Sequence, residues 1–93
     1  MPTITTTAPP QTFAQKCIDS IDAKLAAMSS PEERRDALLR AYAKFLAMSE
    51  EFDTRIDGGN PPQWGETAWD YLHLLSDISI RIAREVRQCS PEQ

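Results

Sequence analysis

The chain has 93 residues, of which 41% are hydrophobic, and a formal net charge of −4. This length allows one domain, since a second would be too small to bury a core of its own. No apolar run approaches the roughly 20 residues of a membrane span, and the first residues lack the basic and apolar segments of a secretory signal. We therefore expect a cytoplasmic protein that does not associate with membranes. The acidic balance also argues against nucleic acid as the main partner.

Both ends of the chain are predicted to be loose. Residues 1–11 are rich in threonine and proline and poor in large apolar side chains, which is typical of a disordered arm. Residues 90–93 form a short polar tail, so residues 12–89 are expected to make up a single domain. Cys17 and Cys89 are too few for a disulfide framework or a zinc site.

The first helix is predicted to span residues 12–28. Thr12 and Gln15 match a capping box, in which each side chain binds a free backbone amide of the other residue. Apolar residues then recur at spacings of three and four, which is the period of one buried helical face. These residues are Ala14, Ile18, Ile21, Leu25 and Met28.

The second helix is predicted to span residues 31–57. Ser30 is a typical N-cap, Pro31 suits the first turn, and Glu33 completes a capping box. Gly58 and Gly59 are expected to end the helix. Its predicted core stripe consists of Leu38, Tyr42, Phe45, Ser49, Phe52 and Ile56.

The third helix is predicted to span residues 61–88, with Asn60 as the cap and Pro61 in the first position. Gly65 costs such a helix up to about 1 kcal/mol, so its first turn is expected to fray or start late. Its predicted core stripe consists of Trp64, Ala68, Tyr71, Leu75, Ile78, Ile82 and Val86.

Three amphipathic helices joined by short turns predict an all-α fold, an up-down-up three-helix bundle with heptad-like packing about 20° off axis. In this topology Cys17 and Cys89 lie at opposite ends, on the order of 30 Å apart, which excludes an internal disulfide.

The second and third helices carry more apolar surface than such a core needs. The surplus residues predicted to bind a partner are Trp69, Leu72, Ile80, Ala83, Leu39 and Leu46. An exposed apolar patch often marks an association site, and tryptophan is enriched among residues that dominate binding energy. We therefore expect a non-enzymatic regulator, adaptor or inhibitor that forms a homodimer through helices two and three. The alternative is that the N-terminal arm shields these residues, or that they are partly buried at the helix edge.

A metal-dependent enzyme is the competing hypothesis. Four ionisable residues of the third helix share one face at spacings of four, three and four, and we expect this face to point to water: Glu66, Asp70, His73 and Asp77. Together with Glu50 and Asp53 they loosely resemble the acidic motifs of the all-helical nucleoside triphosphate pyrophosphohydrolases related to MazG. The resemblance implies magnesium and a nucleotide substrate. The second motif, however, has four-residue rather than three-residue spacing, and the upstream Glu-x-x-Glu is missing.

Other chemistry has little support in the sequence. The single histidine leaves few partners for a nucleophile, and Gly58-Gly59 follows a helix rather than opening one, as a phosphate-binding loop would. We therefore expect no catalytic residues and no cofactor. A third hypothesis is an acidic inhibitor that captures a nucleic-acid-binding protein through salt-sensitive contacts.

Overall fold

The computed structural model describes residues 11–89, which form three helices and no strand. Helix α1 spans Phe13–Ala26, α2 spans Pro31–Asp57 and α3 spans Ala68–Cys89. The chain is therefore all-α, as predicted. The predicted disordered arm, apart from Gln11, and the predicted tail lie outside the described residues.

The first two helices begin where their capping residues predict. The Thr12 hydroxyl oxygen accepts a hydrogen bond from the Gln15 amide at 3.1 Å, and the Ser30 hydroxyl oxygen accepts one from the Glu33 amide at 3.0 Å. Helix α1 ends two residues earlier than predicted, because the chain turns back on itself and the Met28 amide donates to the Leu25 carbonyl at 3.0 Å.

Helix α3 begins at Ala68, so the predicted start at residue 61 is wrong. Gly65 has a φ of +69°, a left-handed backbone that a helix cannot contain. The effective cap is Thr67: its hydroxyl oxygen accepts from the Asp70 amide at 3.2 Å, and the Asp70 carboxylate accepts from the Thr67 amide at 2.8 Å. This reciprocal pair is stronger than a cap at Asn60, because two free amides are satisfied together.

The ion pairs between helices define the topology. Arg34, in the first turn of α2, binds Glu85 near the end of α3 at 3.0 Å, so α2 and α3 are antiparallel. Asp22 in α1 pairs with Arg81 in α3, while the start of α1 meets the start of α3, so these two helices are parallel. The bundle is therefore up-down-up. Helix α1 packs more closely on α3 than on α2.

The core lies where the three helices meet. Its buried members are Ala14, Ile18, Ile21, Leu38, Phe45, Leu74 and Ile78. In α3 the core contains Leu74, which is fully buried, whereas the predicted Leu75 is only partly buried against it. Four residues predicted for the core stripes are exposed instead: Ile56, Trp64, Ala68 and Val86. Within residues 11–89, no helix combines the length and apolar character needed to cross a bilayer.

Candidate interaction surface

The outer face of α3 carries a stripe of exposed apolar side chains. Trp69 is 77% exposed, Leu72 61% and Ile80 51%, and Ser76 and Ala83 are exposed between and beyond them. These five residues, which we call the α3 stripe, follow one another at spacings of three and four. They therefore share one face, and the buried residues Leu74 and Ile78 occupy the opposite one.

Helix α2 contributes a second, smaller exposed set. Leu39 is 48% exposed and Leu46 43%, and their separation of seven residues places them on one face of α2. All six residues predicted to bind a partner are thus accessible. The alternative of partial burial at the helix edge does not hold for Trp69. The alternative of shielding by the N-terminal arm involves residues that lie outside the described range.

Burial of these exposed apolar side chains by a partner would be favourable. Burying one large apolar side chain stabilises a complex by about 1.5–3 kcal/mol before the costs of association are subtracted. Scattered single apolar residues on a surface need no explanation, whereas an aligned set typically marks an interaction site. Three large side chains aligned on one helix, with tryptophan as the most exposed, therefore favour association over simple tolerance.

Glu66 is buried, which corrects the prediction that it faces water. The residue is 1% exposed, and its carboxylate accepts hydrogen bonds from the Trp64 amide at 2.7 Å and from the Arg55 guanidinium at 3.1 Å. The Tyr71 hydroxyl donates to the same carboxylate at 3.5 Å. Glu66 precedes α3, so it lies in the loop that folds back over the end of α2 instead of on an exposed helical face.

Asp70 is also buried, because the start of α1 packs against the start of α3. Its carboxylate accepts from the Ala14 amide at 3.3 Å, from the Thr67 amide at 2.8 Å and from the Thr67 hydroxyl at 3.1 Å. A single carboxylate thus binds free amides at the first turns of two helices, where the helix dipoles favour negative charge. The contact between residues 14 and 70 is missing from any local sequence pattern, although Thr67-x-x-Asp70 is a recognisable cap.

The structure does not bring the possible metal ligands together. Glu66 and Asp70 are engaged as described, Asp77 binds Arg81 at 3.3 Å, and Glu50, Asp53 and His73 are exposed. Within residues 11–89, no three histidine, cysteine or acidic side chains are placed to hold a metal ion.

Tyr71 completes the buried cluster at this end of the bundle. Its ring lies 5.6 Å from the Phe13 ring and 5.4 Å from the Phe52 ring, centroid to centroid. Burial raises the pKa of Tyr71 to about 12, and the nearby Glu66 carboxylate acts in the same direction. The phenol therefore stays neutral and available as a hydrogen-bond donor at any physiological pH.

Comparison with known proteins adds no relative to these observations. No protein-family model, curated protein or solved structure matches the chain.

Proposed function

We propose that this protein is a non-enzymatic protein-binding module, a small regulator, adaptor or inhibitor, and that it forms a homodimer through the outer face of α3. The observation that carries the proposal is the exposure of Trp69, Leu72 and Ile80 on one face of one helix. The proposal includes a cytoplasmic location, which the two free cysteines favour, because paired cysteines are the rule in oxidising compartments.

The order of residues along the α3 stripe suits a two-fold symmetric contact. Ser76 stands at its centre, with Leu72 and Ile80 four residues to either side, and Trp69 and Ala83 seven residues to either side. If two copies of α3 cross antiparallel at Ser76, Leu72 of each copy meets Ile80 of the other, and Trp69 meets Ala83. Large side chains then face small or medium ones, as the interlocking surfaces of an isologous dimer require.

Leu39 and Leu46 extend the proposed surface onto α2. They lie on a different helix from the α3 stripe and are less exposed than Trp69 and Leu72. We therefore assign them a secondary part in binding, at the edge of the dimer contact, where each side chain contributes less than one at the centre.

Size-exclusion chromatography with light scattering tests the proposal. We expect twice the monomer mass for the wild type and the monomer mass for Trp69→Ala with Ile80→Ser, with an unchanged circular dichroism spectrum. The matched control is Val86→Ala with Ile56→Ser, since these residues are also exposed but lie off the stripe. Loss of the dimer in the control alone, or a wild type that is monomeric at every concentration, would contradict the proposal.

A further inference from the structure

A groove separates α1 from α2 on the side of the bundle that α3 does not reach. It has a volume of about 500 Å³, and none of its lining residues belongs to α3. Phe13 and Trp64, whose rings stack 6.1 Å apart, bound one end, and Met28 in the turn after α1 bounds the other. The groove therefore runs the length of α1, which at 1.5 Å per residue is about 20 Å.

The charge of the groove is opposite to that of the protein. Three cationic side chains line it, Lys24 on α1 and Arg40 and Lys44 on α2, and no acidic residue does. The whole chain, in contrast, has 14 acidic residues and 10 basic ones. Among the described residues, the basic side chains that form salt bridges are Arg34, Arg35, Arg55 and Arg81. The three groove cations thus have no ionic partner between residues 11 and 89.

The base of the groove is apolar and adaptable. Ile21 and Phe45 belong to the hydrophobic core, and the small residue Ala41, which packs against that core, lines the groove with them. Met28 and Met48, the methionines of the chain other than Met1, both line the groove. Methionine is flexible and polarisable, and surfaces that accept amphipathic helices use it for that reason.

The cations and the apolar base are arranged in a definite order. On the α2 wheel, Ala41 and Met48 lie close to the buried residue Phe45, whereas Lys44 and Arg40 lie progressively farther from it. On the α1 wheel, Lys24 likewise lies farther from the buried face than Ile21 does. Both walls therefore place their cationic residues farther from the core than their apolar ones, and the Lys44 ammonium lies 5.4 Å from the centroid of the Phe45 ring.

We propose that this groove binds an acidic amphipathic helix of a partner protein. The apolar face of that helix would pack on the base of the groove, and carboxylates along its two edges would meet Lys24 on one wall and Arg40 and Lys44 on the other. This is the helix-in-groove mode of recognition, with charge complementarity selecting the partner. The site is independent of the α3 stripe, so a dimer would present two such grooves.

The test uses a designed peptide as the probe. A fluorescein-labelled helix of roughly 18 residues carries leucine on one face and glutamate on both flanks, and a second peptide of the same design carries lysine on the flanks. Fluorescence anisotropy should show binding of the acidic peptide and at least about ten-fold weaker binding of the basic one. Because the contacts lie at the rim, raising the salt concentration should weaken binding of the acidic peptide.

Charge reversal locates the site. Lys24→Glu, Arg40→Glu and Lys44→Glu together should weaken binding of the acidic peptide at least about ten-fold. The matched control reverses Lys16, Arg84 and Arg87, three exposed basic residues that do not line the groove and that give the same net charge. All six side chains are exposed, so both variants should fold, which circular dichroism checks.

Cys17 lines the groove and reports its occupancy directly. In a Cys89→Ser background, saturating acidic peptide should slow the reaction of Cys17 with a thiol reagent.

Equal binding to both charge-reversed variants, equal binding of both peptides, or no binding at about 1 mM peptide would overturn the proposal. Two further outcomes would also overturn the proposal. Displacement of the peptide by oleate, with equal protection of Cys17, would assign the groove to a fatty acid. Loss of the wild-type dimer mass in the groove variant would assign the groove to a second copy of the chain. Loss of the dimer in the α3 variants has no bearing on peptide binding, so the two proposals fail separately.

Discussion

The first turn of α3 and the outer face of the same helix break the usual rule of burial in opposite directions. At this turn and in the loop just before it, two carboxylates are buried, and protein groups satisfy each of them: the Trp64 amide and Arg55 bind Glu66, and the Thr67 and Ala14 groups bind Asp70. On the outer face, Trp69 stands largely in solvent, although it is among the most apolar side chains of the chain.

The two exceptions have different physical origins. The burial of the two carboxylates is explained by their hydrogen bonds within the chain, which hold the start of one helix against that of another. An aligned set of exposed apolar groups has no such internal explanation, and we therefore propose a partner outside the chain. Substitutions in the first region should therefore change stability and leave association intact, whereas substitutions on the α3 stripe should do the reverse.

The largest expected effect is on stability, in Glu66→Ala. Removing the carboxylate leaves the Arg55 guanidinium partly buried without its partner, and its Nε already has none in the described structure. Because the Arg55 side chain is 24% exposed, the loss of unfolding free energy should lie at the lower end of the range for a broken buried ion pair, at about 3 kcal/mol. Urea denaturation followed by circular dichroism measures the loss, and Glu50→Ala, at an exposed acid, should change stability by less than about 0.5 kcal/mol. Equal effects of the two substitutions would show that the buried cluster does not hold the loop.

The next effect depends on pH and arises from Tyr71. The folded state raises the pKa of this phenol from 10.0 to about 12, so the folded protein keeps a proton that the unfolded chain loses above pH 10. Stability is therefore fully present below pH 10 and falls between pH 10 and 12, by about 2–3 kcal/mol in total.

Denaturation at several alkaline pH values measures this dependence. Tyr71→Phe is the control, because it removes the titrating group and keeps the ring that packs against Phe13 and Phe52. The variant should lose most of the decline between pH 10 and 12. An unchanged pH profile in Tyr71→Phe would assign the decline to other groups.

The smallest expected effect comes from Thr67→Ala. This substitution removes the hydroxyl that caps α3 and one donor to Asp70, and loss of a cap costs about 1 kcal/mol. Thr67→Ser keeps the hydroxyl and should retain nearly all of the stability. The dimer mass should stay unchanged in both variants, and a loss of dimer in Thr67→Ala would break the separation between the two regions.

The sequence predicts well what depends on local pattern. The caps at Thr12 and Ser30 and the glycine pair after α2 lie within a few residues of the helix ends they determine, so those ends were predicted to within two residues. The exposure of Trp69 and Ile80 agrees with the local pattern, because the helical period places them to one side of the predicted core stripe.

Long-range contacts account for the failures. The burial of Asp70 depends on the Ala14 amide, 56 residues away in sequence, and the burial of Glu66 depends on a loop that replaces the predicted first turns of α3. Within that loop, the positive φ of Gly65 outweighs the helix-start signal at Asn60. The groove was also missed, since periodicity defines the apolar face of each helix but not how far apart α1 and α2 lie.

Exchange of two residues on the α3 stripe tests the proposed antiparallel dimer. In the proposed antiparallel contact Trp69 of one copy faces Ala83 of the other, so Trp69→Ala leaves a cavity and Ala83→Trp places two tryptophans together. Each single variant should weaken the dimer by about 2 kcal/mol, or roughly 30-fold in Kd, and Trp69→Ala with Ala83→Trp should restore it. Sedimentation equilibrium measures the three dissociation constants. A double variant as weak as the singles, or single variants that dimerise like the wild type, would contradict the account.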